Sequence, residues 1–154
     1  MQPDVAGWIA KAEADWATAR REFRARRQTN FNAVCFHSQK CIEKYLKARL
    51  ISAGIGFPKT HDLVALLALV QKAEPLWQPW KEHLAKLTYY AVAVRYPGES
   101  AERADAAETL KIAKLLRAEI RFSLGLAAKK TRPENNFICK RAIVVARLCH
   151  DCNH

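Results

Sequence analysis

The chain has 154 residues, the usual length of a single domain, and half of them are hydrophobic, so it can bury a core without a disulfide or a metal ion. Its 26 Lys and Arg residues outnumber its 15 Asp and Glu residues, and the resulting charge of +11 favours a polyanionic partner such as RNA, DNA or a nucleotide. The start of the chain lacks the pattern of a secretion signal, and no apolar run reaches the ~20 residues of a membrane span. Together with an odd number of Cys residues, five, these features predict a cytoplasmic protein with reduced thiols and no membrane segment.

The first predicted helix covers residues 4–27, where apolar side chains recur every three or four positions and form one stripe. Its C-terminal end carries a run of five arginines: Arg20, Arg21, Arg24, Arg26 and Arg27. Cations stabilise this end of a helix dipole, and an exposed arginine cluster can also bind phosphate, so both roles stay open.

Asn30 is the predicted N-cap of a second helix that runs to about Ala53. Its apolar stripe includes Cys35 and Cys41, which we expect in the core. The opposite side carries three lysines, with His37 at its flank: Lys40, Lys44 and Lys47. We expect these lysines to be solvated, with Glu43 close enough to pair with Lys47 at the i,i+4 spacing.

Three further helices follow the second one. The third begins at Leu63 with Thr60 or Asp62 as its cap, the fourth covers about residues 80–94, and the fifth begins after Ser100 as its cap. No segment has the pattern of a strand, and the connectors are short. The sequence therefore predicts an all-α fold, an up-and-down helical bundle of about five helices.

The bundle domain is predicted to end near residue 125, and residues 126–154 form a basic C-terminal extension, either a short helix or a disordered segment. This extension has six Lys and Arg residues against two Asp and Glu residues. Its end contains Cys149, Cys152 and His154, a local spacing that suits zinc. A structural zinc site normally has four ligands, often in two separated pairs, and only Cys139 or His150 remains nearby to complete this one. We therefore predict no metal site and no cofactor.

Four ordered motifs give the chain a resemblance to the HEPN domain family. Residues 35–48 resemble the signature of that family, and residues 58–63 and 95–98 match its later motifs in the same order. The opening helix, from Trp8 to Trp16, is similar as well. The resemblance spans residues 5–125 and implies a bundle of four or five helices that is often a homodimer.

The resemblance also implies a nucleotide- or RNA-associated binding module that partners a separately encoded minimal nucleotidyltransferase, as in toxin–antitoxin pairs. Ribonucleases of the family use an Arg to stabilise phosphate charge and a His, one to two helical turns later, to move a proton. Arg95 matches that Arg, but no His follows before position 150. This incomplete pair favours a non-catalytic or weakly catalytic module. The alternatives are a metal-independent ribonuclease toxin that uses Arg95 with another proton carrier, and a pure oligomerisation or interaction domain.

The candidate nucleotide- or phosphate-binding site consists of residues in or beside the matching motifs: His37, Lys40, Lys44, Lys59, His61, Arg95 and Tyr96. Converging cations bind phosphate, and an aromatic ring can stack on a base. The two histidines have competing interpretations, as proton carriers beside Arg95 or as ordinary hydrogen-bonded side chains. Tyr96 resembles the Tyr that a nucleotidyltransferase partner adenylylates in some family pairs.

Overall fold

The computed structural model describes residues 3–126, and within them the chain forms five α-helices and one 3₁₀ helix. The α-helices are α1 (Pro3–Arg24), α2 (Phe31–Ser52), α3 (Leu63–Val70), α4 (Lys81–Ala93) and α5 (Arg103–Ser123), and the 3₁₀ helix is Pro75–Trp80. No strand occurs in this part of the chain, which confirms the predicted all-α bundle. Nor is any helix of residues 3–126 long and apolar enough to cross a membrane. The predicted extension beyond Leu126, with Cys149, Cys152 and His154, lies outside the described residues.

The helix starts follow ordinary capping rules, but one predicted cap is wrong. The Asn30 side chain accepts a hydrogen bond from the backbone of α2, and the Asp62 side chain does the same for α3. Ser100 does not cap α5. Instead, Glu102 and Asp105 form a reciprocal capping box, in which Glu102 N donates to Asp105 Oδ2 at 2.9 Å. The two residues between Ser100 and α5 therefore stay outside the helix.

Two other helix boundaries differ from the prediction by a few residues. α1 ends at Arg24, three residues early, because the chain turns towards α2 through Gln28 with a positive φ of 50°. Pro75 and Pro79 place a 3₁₀ helix before α4, whose first residue is Lys81. Trp77 and Trp80 stack on each other with ring centres 4.3 Å apart.

The second helix, α2, is the centre of the bundle and contacts α1, α3, α4 and α5. Its stripe supplies the largest buried side chains of the main core, among them Tyr45, and Cys41 belongs to the same cluster. A smaller cluster contains Val34, Cys35 and Ala106. Both predicted core thiols are thus fully buried, and this burial raises the pKa of each.

The lysine side of α2 is not solvated, and that prediction is wrong. Lys47 is only 5% exposed, and Lys40 and Lys44 are half-buried. Two carboxylates that are themselves buried, Asp15 and Glu43, neutralise these lysines. A buried ammonium group is tolerated when it is paired in this way.

Candidate functional site

The Phe36 ring on α2 gathers three of the predicted site residues. Lys40 Nζ and the guanidinium carbon of Arg95 each lie 5.6 Å from the centre of this ring. His37 packs edge-on against the same ring, with ring centres 5.3 Å apart. Because Arg95 comes shortly after α4, the ring connects α2 to the end of α4. A cation over an aromatic face is attracted by the ring quadrupole, so Phe36 fixes the position of the Arg95 guanidinium.

Asp15, on α1, contacts His37 and one further predicted residue, Lys44. Its Oδ1 lies 2.7 Å from Nδ1 of His37, and its Oδ2 accepts a hydrogen bond from Lys44 Nζ. Asp15 is buried, whereas His37 and Lys44 are both partly exposed. Because the Asp15 carboxylate contacts Nδ1 of His37, the second ring nitrogen, Nε2, is free to contact a ligand or to accept a proton.

Glu43 is the second buried carboxylate, and it contacts four side chains from α2 and the loop before α3, the first of which is Gln39, whose amide donates a hydrogen bond to Oε2 at 3.3 Å. Oε1 of Glu43 lies 2.9 Å from Lys47 Nζ and 3.0 Å from His61 Nδ1, and its Oε2 accepts a hydrogen bond from Lys40 Nζ at 3.0 Å. Burial raises the pKa of the Glu43 carboxyl, but hydrogen bonds from Lys47, His61 and Lys40 outweigh burial and lower that pKa to about 2. Glu43 is therefore ionised at neutral pH and anchors the cations around it.

Lys47 lies deeper than the other cations, in a box of aromatic rings. Its Nζ is 5.4 Å from the ring centre of Trp8 and 5.8 Å from that of Phe57. The two rings contact each other edge to face. Lys47 thus supports Glu43 from the core side and is not available to a ligand.

The remaining two predicted residues lie outside these contacts. Lys59 and Tyr96 are exposed, and the side chain of neither forms an ion pair or hydrogen bond with another residue of the described part. The structure therefore joins five of the seven predicted residues through Phe36, Asp15 and Glu43. We call this set the Phe36 network: Asp15, Phe36, His37, Lys40, Glu43, Lys44, Lys47, His61 and Arg95.

Of the three residues that organise this network, Asp15 and Phe36 were not predicted, and Glu43 was expected only to pair with Lys47. Asp15 had a detectable signal, because it adjoins the apolar stripe of α1, next to Trp16. A carboxylate beside an apolar stripe indicates a buried, paired charge. Phe36 lies one helical turn before Lys40, which is the spacing of neighbours on a helix face. Its contact with Arg95, in contrast, depends on how α2 and α4 pack.

The Phe36 network is suited to binding an anion. Four permanent cations, Lys40, Lys44, Lys47 and Arg95, surround two carboxylates, so positive charge is in excess. Arg95 is exposed and forms no ion pair with another described residue. Its planar guanidinium presents donors in a fork that matches phosphate oxygens. Within residues 3–126, no group of three or more His, Cys, Asp or Glu side chains is placed to hold a metal ion.

Comparisons with known proteins agree with this architecture. A family model described as the HEPN domain matches residues 5–122. Among solved structures, the crystal structure of TT1696 from Thermus thermophilus is similar to this chain, with a TM-score of 0.67 and 19% identity. The match covers 79% of this chain and 98% of TT1696, and at this identity it shows the fold alone. No curated protein sequence gives a significant match.

Proposed function

Because the chain belongs to the HEPN domain family, we propose that it is a HEPN module that binds the phosphate groups of a nucleotide or an RNA at the Phe36 network. The proposal rests on the position and the solvent exposure of the Arg95 guanidinium. Its guanidinium is held over Phe36, is exposed to solvent and has no carboxylate partner among residues 3–126. A fixed, solvent-facing fork of donors binds phosphate without first losing another ion pair.

The other cations of the network support Arg95 in different ways. Lys40 is paired with Glu43, and Lys44 is paired with Asp15, so neither ammonium group is free to bind a ligand by itself. Both lysines nevertheless contribute to the local positive potential. His61 has a largely exposed side chain and lies beside Lys40, with Nδ1 of its ring 3.1 Å from Lys40 Nζ. We therefore assign direct phosphate contact to Arg95, His61 and the Nε2 atom of His37.

The family resemblance extends the proposal to protein partners. We infer a homodimer that acts beside a separately encoded minimal nucleotidyltransferase, in a toxin–antitoxin-like pair. Tyr96 supports this inference, since its side chain is 64% exposed and it adjoins Arg95 in the chain. A phenol in that position is accessible to an adenylylating partner.

A second candidate function, RNA cleavage, is favoured by the contact between His37 and Asp15. The carboxylate orients the imidazole as it does in hydrolytic His–Asp pairs, so Nε2 is placed to take a proton. In this reaction His37 accepts the proton of a ribose 2′-hydroxyl, the 2′-oxygen bonds to phosphorus, and the bond from phosphorus to the 5′-oxygen breaks. His61 returns a proton to the leaving oxygen, and Arg95 stabilises the charge on the phosphate.

One experiment separates binding from cleavage. Labelled RNA is incubated in EDTA with wild type, Arg95→Ala, His37→Gln and the control Lys111→Ala, which removes an exposed cation of α5 outside the network. Affinity for the RNA and for ATP is measured by titration, and the RNA is then resolved on a denaturing gel. We expect intact RNA in every lane, about tenfold weaker binding of at least one ligand by Arg95→Ala, a smaller loss of affinity in His37→Gln, and unchanged binding by Lys111→Ala.

Two outcomes contradict the proposal. If Arg95→Ala binds both ligands as tightly as wild type, the Phe36 network is not a phosphate site. If wild type cleaves RNA and both Arg95→Ala and His37→Gln do not, the protein is a ribonuclease with a displaced proton carrier.

A further inference from the structure

A second set of cations surrounds a concave surface where α1 ends and α5 begins. The cavity has a volume of about 550 Å³. It is lined by the end of α1, by the α1–α2 turn and by the first residue of α5: Phe23, Arg24, Ala25, Arg26, Thr29 and Arg103. None of these residues belongs to the Phe36 network, and none lies in the motifs that carried the family resemblance. We call this cavity the arginine pocket.

The fold holds the walls of the arginine pocket in place. The hydroxyl of Thr29 donates a hydrogen bond to the carbonyl oxygen of Ala25 at 2.7 Å, which closes the turn after α1. Gln28 provides the reversal with its positive φ of 50°. On the opposite wall, the guanidinium carbon of Arg103 lies 5.0 Å from the centre of the Phe23 ring. Two segments that are distant in sequence thus present their arginines to one cavity.

The arginines of the pocket lack the carboxylate partners that Arg49, Arg117 and Arg121 have among the described residues. Arg49 pairs with Glu74, and Arg117 pairs with Glu13, each at 2.7 Å. By contrast, Arg24, Arg26 and Arg103 form no ion pair within residues 3–126. The nearest acidic residues along the chain from Arg103, Glu102 and Asp105, are engaged with each other in the capping box. None of the three guanidinium groups therefore has a carboxylate in direct contact within residues 3–126.

Stabilisation of the α1 dipole does not account for this arrangement. It explains Arg21 and Arg24, which lie in the last turn of α1, where cations are favourable. It does not explain Arg26, which lies beyond the helix. Arg103 is the first residue of α5, where the positive end of the dipole disfavours a cation. Three guanidinium groups around one cavity thus repel one another unless an anion lies between them.

We propose that the arginine pocket is a second binding site, which takes backbone phosphates of single-stranded RNA. Phosphate is the anion that suits converging guanidinium forks. The Phe23 face is already occupied by Arg103, so the pocket offers no free ring on which a base can stack. Recognition there is through the backbone, which favours a polymer over a free nucleotide.

The two sites are close enough for one RNA strand to reach both. Arg95 and Arg103 are eight residues apart, so their Cα atoms are separated by at most about 28 Å. In addition, the Asn32 side chain accepts a hydrogen bond from Ala101 N at 2.7 Å, which ties the loop between these arginines to the start of α2. Domains that bind single strands cover about 4–16 nucleotides. The pocket nevertheless depends only on its own residues, and its test does not require that the Phe36 network bind RNA.

The test uses the full chain and a fluorescent oligouridine of about 12 nucleotides, followed by anisotropy at several salt concentrations. The variant Arg24→Gln/Arg26→Gln is compared with Lys11→Gln/Arg21→Gln, which removes two exposed cations of the same helix outside the pocket. Both variants have the same net charge, so only a local site distinguishes them. Arg103→Gln tests the contribution of α5 to the arginine pocket, and Arg95→Ala tests the Phe36 network separately. Circular dichroism verifies that each variant is folded.

We expect Arg24→Gln/Arg26→Gln to bind the RNA about tenfold more weakly than wild type, with a salt dependence of log Kd shallower by about 1.4. Arg103→Gln should weaken binding in the same direction, and the matched control should change affinity less than about twofold. Equal weakening in both double variants, or no change in either, would overturn the proposal. Displacement of the RNA from the pocket by inorganic phosphate or ATP, lost in Arg24→Gln/Arg26→Gln, would identify a small phosphate ligand and overturn the assignment to RNA.

Discussion

Nδ1 of His37 and Oδ1 of Asp15 are 2.7 Å apart, and this contact fixes an imidazole of α2 to a buried carboxylate of α1. The same carboxylate also accepts a hydrogen bond from Lys44. A single acidic side chain therefore connects two helices and positions one edge of the Phe36 network. Its removal should affect stability and ligand binding together, which distinguishes it from an exposed charge.

Replacement of Asp15 by Asn should destabilise the fold by about 3 kcal/mol, because Lys44 then keeps its charge without a carboxylate. The measurement is the free energy of unfolding in urea. Glu108→Gln is the control, since Glu108 forms an exposed ion pair with Lys86 at 2.8 Å and its loss should leave stability nearly unchanged. Equal stability of Asp15→Asn and wild type would show that the Asp15 contacts do not hold α1 to α2.

The free energy of unfolding should decrease at acidic pH, over a pH range that is set by the pKa of Glu43. Its pKa is about 2 in the folded protein, below the ordinary value of 4.5, so the unfolded chain binds this proton more readily. The contribution of Glu43, on the order of 3 kcal/mol, is complete above about pH 5 and is lost as the pH falls towards 2. Urea unfolding at neutral pH and at several acidic pH values measures the loss.

The matched variant for this pH dependence is Glu43→Gln, which should be destabilised at neutral pH by about 3–5 kcal/mol and should lose less stability than wild type on acidification. Glu119→Gln, at an exposed position of α5, should keep the dependence of wild type. An unchanged acid response in Glu43→Gln would assign the acid sensitivity to other carboxylates, such as Glu13. Hydrogen bonds from Arg117 and Tyr45 also lower the pKa of Glu13, against the opposing effect of burial.

Replacement of Phe36 by Leu should weaken phosphate binding while the bundle stays folded. Leu keeps an apolar side chain but removes the ring that holds Arg95 and Lys40, and each cation–π contact contributes about 0.5–1 kcal/mol at a partly exposed site. We expect about fivefold weaker binding, as measured by calorimetric titration with the ligand that wild type binds. Phe36→Tyr keeps the ring and should restore most of the affinity. Equal affinities of Phe36→Leu and Phe36→Tyr would show that the ring does not position Arg95.

The corrected start of α5 is tested by removal of each competing cap. Glu102→Ala should lower stability by about 1 kcal/mol, because it breaks the capping box with Asp105. Ser100→Ala should have almost no effect, since Ser100 lies outside the helix. Thermal unfolding of the two variants decides between the caps. A larger loss of stability in Ser100→Ala than in Glu102→Ala would place the cap at Ser100.

Local signals in the sequence were sufficient for most of the fold. The caps Asn30 and Asp62 act on backbone groups two or three residues away, so short patterns predict them. The error at Ser100 has a tertiary cause. The Asn32 side chain takes the hydrogen bond of Ala101 N, which keeps that residue out of the helix, and no pattern near Ser100 shows it.

The candidate site was predictable only where its contacts are local. The pairing of Glu43 with Lys47 was expected from its spacing within one helix and is present at 2.9 Å. The contacts of Asp15 with His37 and of Phe36 with Arg95 cross between helices, and they depend on how those helices pack. The lysines of α2 were expected in solvent because the groups that cover two of them belong to other segments. Asp15 of α1 pairs with Lys44, and the rings of Trp8 and Phe57 lie against Lys47.

The burial of Cys35 and Cys41 in two different clusters gives the protein a pair of internal reporters of local unfolding. A fully buried thiol reacts with an alkylating reagent only after the surrounding helices separate, so its labelling rate measures the free energy of that opening. Cys35 lies next to Phe36, whereas Cys41 belongs to the main core. Faster labelling of Cys35 than of Cys41 would show that the ligand-binding end of the bundle opens while the core stays closed, and protection of Cys35 by RNA would show that the ligand closes it.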